Sequence, residues 1–124
     1  LYTSEGCSSC PPADEWLSQL KLSTDKVVPL AFHVDYWDYI GWKDTFAKPE
    51  YSERQRKNAA LGGAGFVYTP QFTLNGKDFR GWGNLRLNLA LNGLKQAPRA
   101  HLGLESQTQN NGEILIKLSS QIPA

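Results

Sequence analysis

The sequence predicts an α/β fold: a mixed central sheet of about four strands with helices packed on it, then a β-rich C-terminal extension. Three observations carry this. A short strand, an amphipathic helix and a second apolar run follow one another within residues 1–34, the order of a right-handed βαβ unit with parallel strands. Asn75-Gly76 stands between two strand-forming runs, the strongest short-range hairpin signal a sequence offers. From Arg99 onward the character changes again, to two strand-like segments around Asn110-Asn111-Gly112.

Each element has its own cue. Leu1-Tyr2-Thr3 reads as the end of a strand running into a Ser4-Glu5-Gly6 turn. Ala13, Trp16, Leu17 and Leu20 recur at i, i+3, i+4 and i+7, the apolar stripe of a helix. Pro11 and Pro12 suit its first turn, where N–H groups lack intrahelical partners, and Asp14 and Glu15 suit its dipole. Residues 27–34 are mostly apolar and read as a strand buried on both faces. The aromatic and acidic stretch 35–44 is a loop. Residues 49–61 form a polar helix with Pro49 in its first turn and Gly62-Gly63 after its end. Strands over 67–74, with Pro70 near the beginning, and over 77–80 flank the Asn75-Gly76 turn. Leu85, Leu87, Leu89, Leu91 and Leu94 belong to a closing helix that starts near Gly83-Asn84. Residues 101–105 and 113–119 are two further strands. The expected organisation is a domain over 1–97 and a β extension over 98–124, either an added hairpin or the start of a second β-rich part.

Composition narrows the function. A chain of 124 residues can bury a real core, and 13 basic against 12 acidic side chains leave a net charge of +1, with no basic field for nucleic acid. No apolar run approaches the roughly 18 residues of a membrane span. There is no n-region and h-region of a signal peptide. The chain contains no Met and opens inside a strand, so it is expected to be a processed or trimmed form.

The chemistry centres on Cys7-Ser8-Ser9-Cys10, which holds the only two cysteines. Two thiols at this spacing on a helix's first turn can close a small disulfide ring with little backbone movement. The second half of a zinc site, another CxxC or an HxxxH, is missing. The choice is therefore between a redox pair and a structural disulfide. A ring this small constrains the unfolded chain little, which weighs against the structural role.

The order strand, CxxC, helix, strand, helix, hairpin, helix, with Thr69-Pro70 opening the third strand, resembles the thioredoxin fold over about residues 1–95. The strings Thr3-Ser4-Glu5-Gly6-Cys7-Ser8-Ser9-Cys10-Pro11-Pro12-Ala13-Asp14 and His33-Val34-Asp35-Tyr36-Trp37-Asp38, with Gly41-Trp42, are similar to a secreted bacterial thioredoxin-like family of unknown function. The resemblance implies a redox-active Cys7–Cys10 disulfide, a cis bond before Pro70 and a periplasmic or secreted location. One departure stands out: thioredoxins carry a buried acid in the strand before the motif, and residues 1–4 contain none.

Geometry adds an argument of its own. Parallel strands end at one edge of a sheet, so Cys7 and the 35–42 loop emerge together, and an antiparallel third strand begins there with Thr69-Pro70. The expected activity is thiol–disulfide exchange on a disulfide- or thiol-bearing protein or small molecule, with no cofactor beyond the disulfide itself. Cys7, preceding the helix and expected to be the more exposed, is the nucleophile, and Cys10 resolves the mixed disulfide. Thr69, Pro70, Trp37 and Trp42 are candidate substrate contacts. Ser8 and Ser9 favour the Cys7 thiolate, as does the helix dipole, while Glu5, Asp14 and Glu15 oppose it and the two prolines remove donors. His33 is either a core histidine or a modulator. Asp35 and Asp38 are either modulators or turn and cap residues. Two alternatives remain: a copper-binding or copper-delivery protein using Cys7, Cys10 and His33, and a non-enzymatic partner-binding module shaped by a static disulfide.

Overall fold

The computed structural model describes residues 1–22, 26–94 and 100–122. It divides into two compact units, Leu1–Asn88 and Leu89–Ala124. The expected boundary between 97 and 98 falls among residues 95–99, outside the described residues.

The first unit is built from β1 (Tyr2–Thr3), α1 (Pro11–Ser18), β2 (Phe32–His33), α2 (Pro49–Leu61), β3 (Thr73–Leu74) and β4 (Lys77–Asp78), and α3 (Asn84–Gly93) begins in it. β1 and β2 run parallel, with Tyr2 opposite Phe32 and Thr3 opposite His33. β3 and β4 are antiparallel, pairing Thr73 with Asp78 and Leu74 with Lys77, and Phe79 N–H extends the ladder to Phe72 O at 2.8 Å. The expected mix of parallel and antiparallel pairing is present, but as separate two-stranded sheets rather than one continuous sheet of four. An isolated antiparallel bridge between Tyr2 and Gln71, closed by N–H···O bonds of 2.8 and 3.0 Å, joins β1 to the segment entering β3.

Alternation along β1 sets the two faces. Leu1 faces α1 and packs in a core with Ala13 and Phe72, walled by Trp16, Leu17, Phe79 and Trp82. Tyr2 faces the other way: its ring stacks on Phe32, whose ring meets Tyr51 of α2 at 5.2 Å, and its hydroxyl accepts from Asn58 Nδ2 at 2.8 Å.

The strand expected over 27–34 is a correction. Only Phe32–His33 is laddered, and Val28 and Leu30 lie exposed. Pro29 has no N–H to donate, and an apolar run without a second neighbour has nothing to be buried against. The strands around Asn75-Gly76 are shorter than expected for a related reason: residues 67–70 lie outside the β3 ladder and Arg80 beyond β4. The turn itself is as expected, with φ of +50° at Asn75 and +80° at Gly76, the left-handed pair of a primed hairpin turn. α2 spans the expected residues, with Pro49 in its first turn. α3 begins at the expected Asn84.

The second unit contains a hairpin of β5 (His101–Thr108) and β6 (Ile114–Gln121), in register from His101–Gln121 to Thr108–Ile114. Both strands run longer than expected, and Leu102, Leu104, Ile116 and Leu118 share one face of the ribbon. No helix among the described residues is long and apolar enough to cross a membrane.

Candidate functional site

Cys7 and Cys10 form a disulfide with an S–S distance of 2.03 Å and a Cα–Cα distance of 5.4 Å. Two consecutive turns deliver them: Cys7 N–H bonds Ser4 O and Cys10 N–H bonds Cys7 O, both at 3.1 Å. Cys10 is the N-cap of α1, and its carbonyl accepts from the N–H groups of Ala13 and Asp14. Pro11 and Pro12 fill the first helical positions, where a missing donor costs nothing.

The two cysteines stand in the expected order of exposure, but both are buried. Cys7 is only 3% exposed, little more than Cys10 at 0%, while Ser8 and Ser9 face solvent. The turn before Cys7 is closely packed. Gly6 is pressed so closely by the 37–40 segment that a Cβ there would stand 3.1 Å from Trp37 Cβ and 3.3 Å from Ile40 Cδ1. Glycine is the residue that permits this approach. The Ser9 hydroxyl lies 3.7 Å from Cys7 Sγ, a long and weak contact.

The 35–42 loop touches the segments on either side of it in the sequence. Trp37 Nε1 donates to Thr69 Oγ1 at 2.8 Å, and Trp42 Nε1 donates to Glu5 Oε2 at 2.8 Å. The Thr69–Pro70 bond is cis. The loop turns through a short 3-10 helix at Asp38–Ile40 and leaves through Gly41 at φ +102°. Tyr39 and Trp42 remain 81% and 60% exposed, and Ile40 and Phe46 are exposed beside them.

Asp44 was not singled out from sequence, yet it is the fastening point of the region. Its side chain is wholly buried, and Oδ2 takes Glu5 N–H at 2.9 Å and His33 Nδ1 at 2.6 Å. Oδ1 takes Phe46 N–H at 2.9 Å. Asp38 Oδ1 in turn accepts Asp44 N–H at 3.2 Å. Burial pushes this carboxyl up, but the hydrogen bonds from Glu5, His33 and Phe46 outweigh it and hold the group below the usual carboxylate range. The one local sign was the Asp44-Thr45-Phe46 spacing of an Asx turn.

These contacts sort the candidate modulators. His33 is a partly buried histidine whose Nδ1 is committed to Asp44. Asp35 is tied to α2, its N–H donating to Ser52 Oγ at 3.0 Å and its carboxylate accepting the Ser52 hydroxyl. Asp38 serves the turn. Glu5 stands at the site through Trp42. Among the described residues no group of three or more His, Cys, Asp or Glu side chains is disposed to hold a metal ion.

Pro70 also borders a groove of about 250 Å³ lined by Phe66, Tyr68, Phe72, Phe79 and Trp82. Arg80 also lines it, its guanidinium 5.5 Å from the Phe66 ring and 5.4 Å from the Tyr68 ring, and bonds Asp78 at 2.7 Å. Burial pushes the Asp78 carboxyl up, but hydrogen bonds from Arg80, Tyr68 and Gln71 hold it low.

No curated protein matches the chain. It is similar to a crystal structure of an Agrobacterium tumefaciens protein determined by structural genomics, at 38% identity and a TM-score of 0.65. That match covers 95% of this chain and 53% of the other, so the chain spans about half the length of its structural relative. The model of the DUF1223 family, proteins of unknown function, matches residues 1–123, and the chain belongs to that family.

Proposed function

We propose that this chain is a thiol–disulfide oxidoreductase of thioredoxin-like fold, with Cys7–Cys10 as its redox pair. The observation that carries the reading is that one aromatic residue touches the neighbours of both motifs: Trp37 packs on Gly6, one residue before Cys7, and bonds Thr69, one residue before Pro70. A disulfide kept only for stability has no need of an aromatic loop that ties its turn to an extended segment. Its ring is also too small to contribute much.

In the reaction, the Cys7 thiolate attacks one sulfur of a substrate disulfide and displaces a thiolate. Cys10 then attacks Cys7 Sγ, re-forming the intramolecular disulfide and releasing the second substrate thiolate. The reverse sequence oxidises a dithiol. Cys7 takes the nucleophile's role because it lies outside the helix, whose N-terminus favours the thiolate. The exposed Tyr39, Ile40 and Trp42 offer an apolar contact to the substrate, and the Thr69 backbone offers an extended segment for strand addition. A location outside the cytoplasm rests on the family resemblance, since the pair itself could serve in either compartment.

The test is equilibration with glutathione buffers of graded ratio, together with exchange kinetics of Cys7→Ser and Cys10→Ser on a model disulfide. Cys7→Ser abolishes exchange, and Cys10→Ser stalls as a mixed disulfide. Reaction no faster than that of free cysteine would sink the reading. The same exposed aromatics suit a partner-binding module with a static disulfide, and that reading requires partner capture to survive Cys7→Ser.

A further inference from the structure

Cys10 has no exposed surface. In the exchange reaction proposed above, on which this inference rests, Cys10 must become a thiolate before it attacks. A thiol shut off from water needs a group within the fold to take its proton. The structure offers one on the same helix. Asp14 follows Cys10 by one turn, its N–H bonded to Cys10 O at 3.0 Å. Residues four apart are neighbours on a helix face. The carboxylate is held inward, because Oδ2 accepts the Thr3 hydroxyl at 3.0 Å and Thr3 is itself wholly buried in β1. Asp14 is only half-buried, so it touches both the interior and water.

The other ionisable groups near this face are few. His33 is the β2 partner of Thr3 and is engaged by Asp44 at 2.6 Å, which commits both to each other. The pKa of the Leu1 amino group, at the head of β1, is lowered to about 6 by burial, against the charge of Asp14 that raises it, and the group donates to Leu30 O. Glu15 points to solvent. Asp14 is thus the carboxylate tied to the strand that leads into the motif, one turn beyond the buried sulfur.

We propose that Asp14 is the proton acceptor for Cys10. Starting from the dithiol, the Cys7 thiolate attacks an organic disulfide R–S–S–R′, giving Cys7–S–S–R and R′–S⁻. Asp14 then takes the proton from Cys10 Sγ–H as that sulfur attacks Cys7 Sγ. The Cys7–S–R bond breaks, the Cys7–Cys10 bond forms and R–S⁻ leaves. Two electrons pass from the protein dithiol to the substrate, and Asp14 gives its proton to solvent. In the opposite direction, protonated Asp14 returns the proton to the departing Cys10 thiolate.

Reduced protein mixed with an aromatic disulfide that releases a coloured thiolate separates the steps. Cys7 attack liberates the first equivalent, and Cys10 attack the second. Cys10→Ser marks the first phase alone. Asp14→Asn keeps an acceptor for Thr3 and, by removing a negative charge that opposes the Cys7 thiolate, is expected to leave the first phase as fast as in wild type or faster while slowing the second about 10²-fold, the scale of a lost general base. Thr3→Val, which retains Asp14 but releases it, slows the second phase several-fold and covers the case in which Asp14→Asn does not fold. An unchanged second phase in either folded variant overturns the role of Asp14 and leaves the exchange reaction standing. Wild type that releases no coloured thiolate overturns both.

Discussion

At Asp44, a single carboxylate joins β2, the turn before the disulfide and the start of the segment leading to α2. Asp44→Ala leaves the Glu5 and Phe46 N–H groups without their acceptor, and an unmet buried donor costs on the order of 1–3 kcal/mol. The expected loss is about 3 kcal/mol in urea unfolding. Its pH dependence has a definite sign. The folded-state pKa of Asp44 lies below the ordinary carboxylate value, so its contribution is complete above the unfolded value of about 4 and is lost as pH falls through the folded value. Asp78 adds a share in the same direction. Asp44→Asn therefore lowers stability at neutral pH and flattens the decline toward acid, measured as urea midpoints at neutral and acidic pH. A decline as steep as that of wild type would remove Asp44 from the account. Beyond the Asx-turn spacing of Asp44-Thr45-Phe46, nothing in the sequence around Asp44 announces this role, because two of its three donors come from residues 5 and 33. The close approach at Gly6 was hidden for the same reason: the atoms that press on it belong to Trp37 and Ile40, some thirty residues on.

The elements were legible where local chemistry decides them. Pro49 at the first turn of α2, the two left-handed residues at Asn75-Gly76 and the entry to α3 at Asn84 are set within a few residues, and the structure has them where expected. The second strand was not, since the apolar residues 27–30 resemble a buried strand but find no partner, and only pairing makes a strand. The aromatic loop is held by contacts that can be tested in pairs. Trp37→Phe and Thr69→Val each remove the same hydrogen bond, so each costs about 1 kcal/mol and the double variant costs no more than either. Fully additive losses would show that the bond contributes nothing of its own. Gly6→Ala meets Trp37 and Ile40 too closely and is expected to cost about 1–3 kcal/mol as overpacking. By lifting the loop it also speeds alkylation of Cys7 in the reduced protein, and a rate equal to wild type would contradict the covering role of Trp37 and Ile40.

For the molecule as a whole, the core of the first unit does not depend on the disulfide. Leu1, Ala13, Phe72 and the surrounding Trp16, Leu17, Phe79 and Trp82 bury one another without either sulfur. The chain-entropy account gives a ring of this size about 2 kcal/mol at most. The Cys7→Ser/Cys10→Ser double variant is accordingly expected to fold, with a midpoint lowered by several degrees. Collapse of that variant would make the disulfide a structural one and weaken the catalytic reading. The fold class was legible from the order of its elements; the splitting of the sheet into two-stranded pieces was not, because strand length depends on neighbours.

The paired indole bonds near the motif have an optical consequence. Trp42 bonds Glu5, two residues before Cys7, and Trp37 packs on Gly6 while bonding Thr69. Opening the Cys7–Cys10 bond frees the turn these side chains grip, so the protein carries unlabelled fluorophores for its own redox state. Emission at the red edge of tryptophan absorption should then follow reduction in real time, and the signal should shrink in Trp37→Phe and Trp42→Phe while Trp16, seated among Phe72 and Trp82, stays constant.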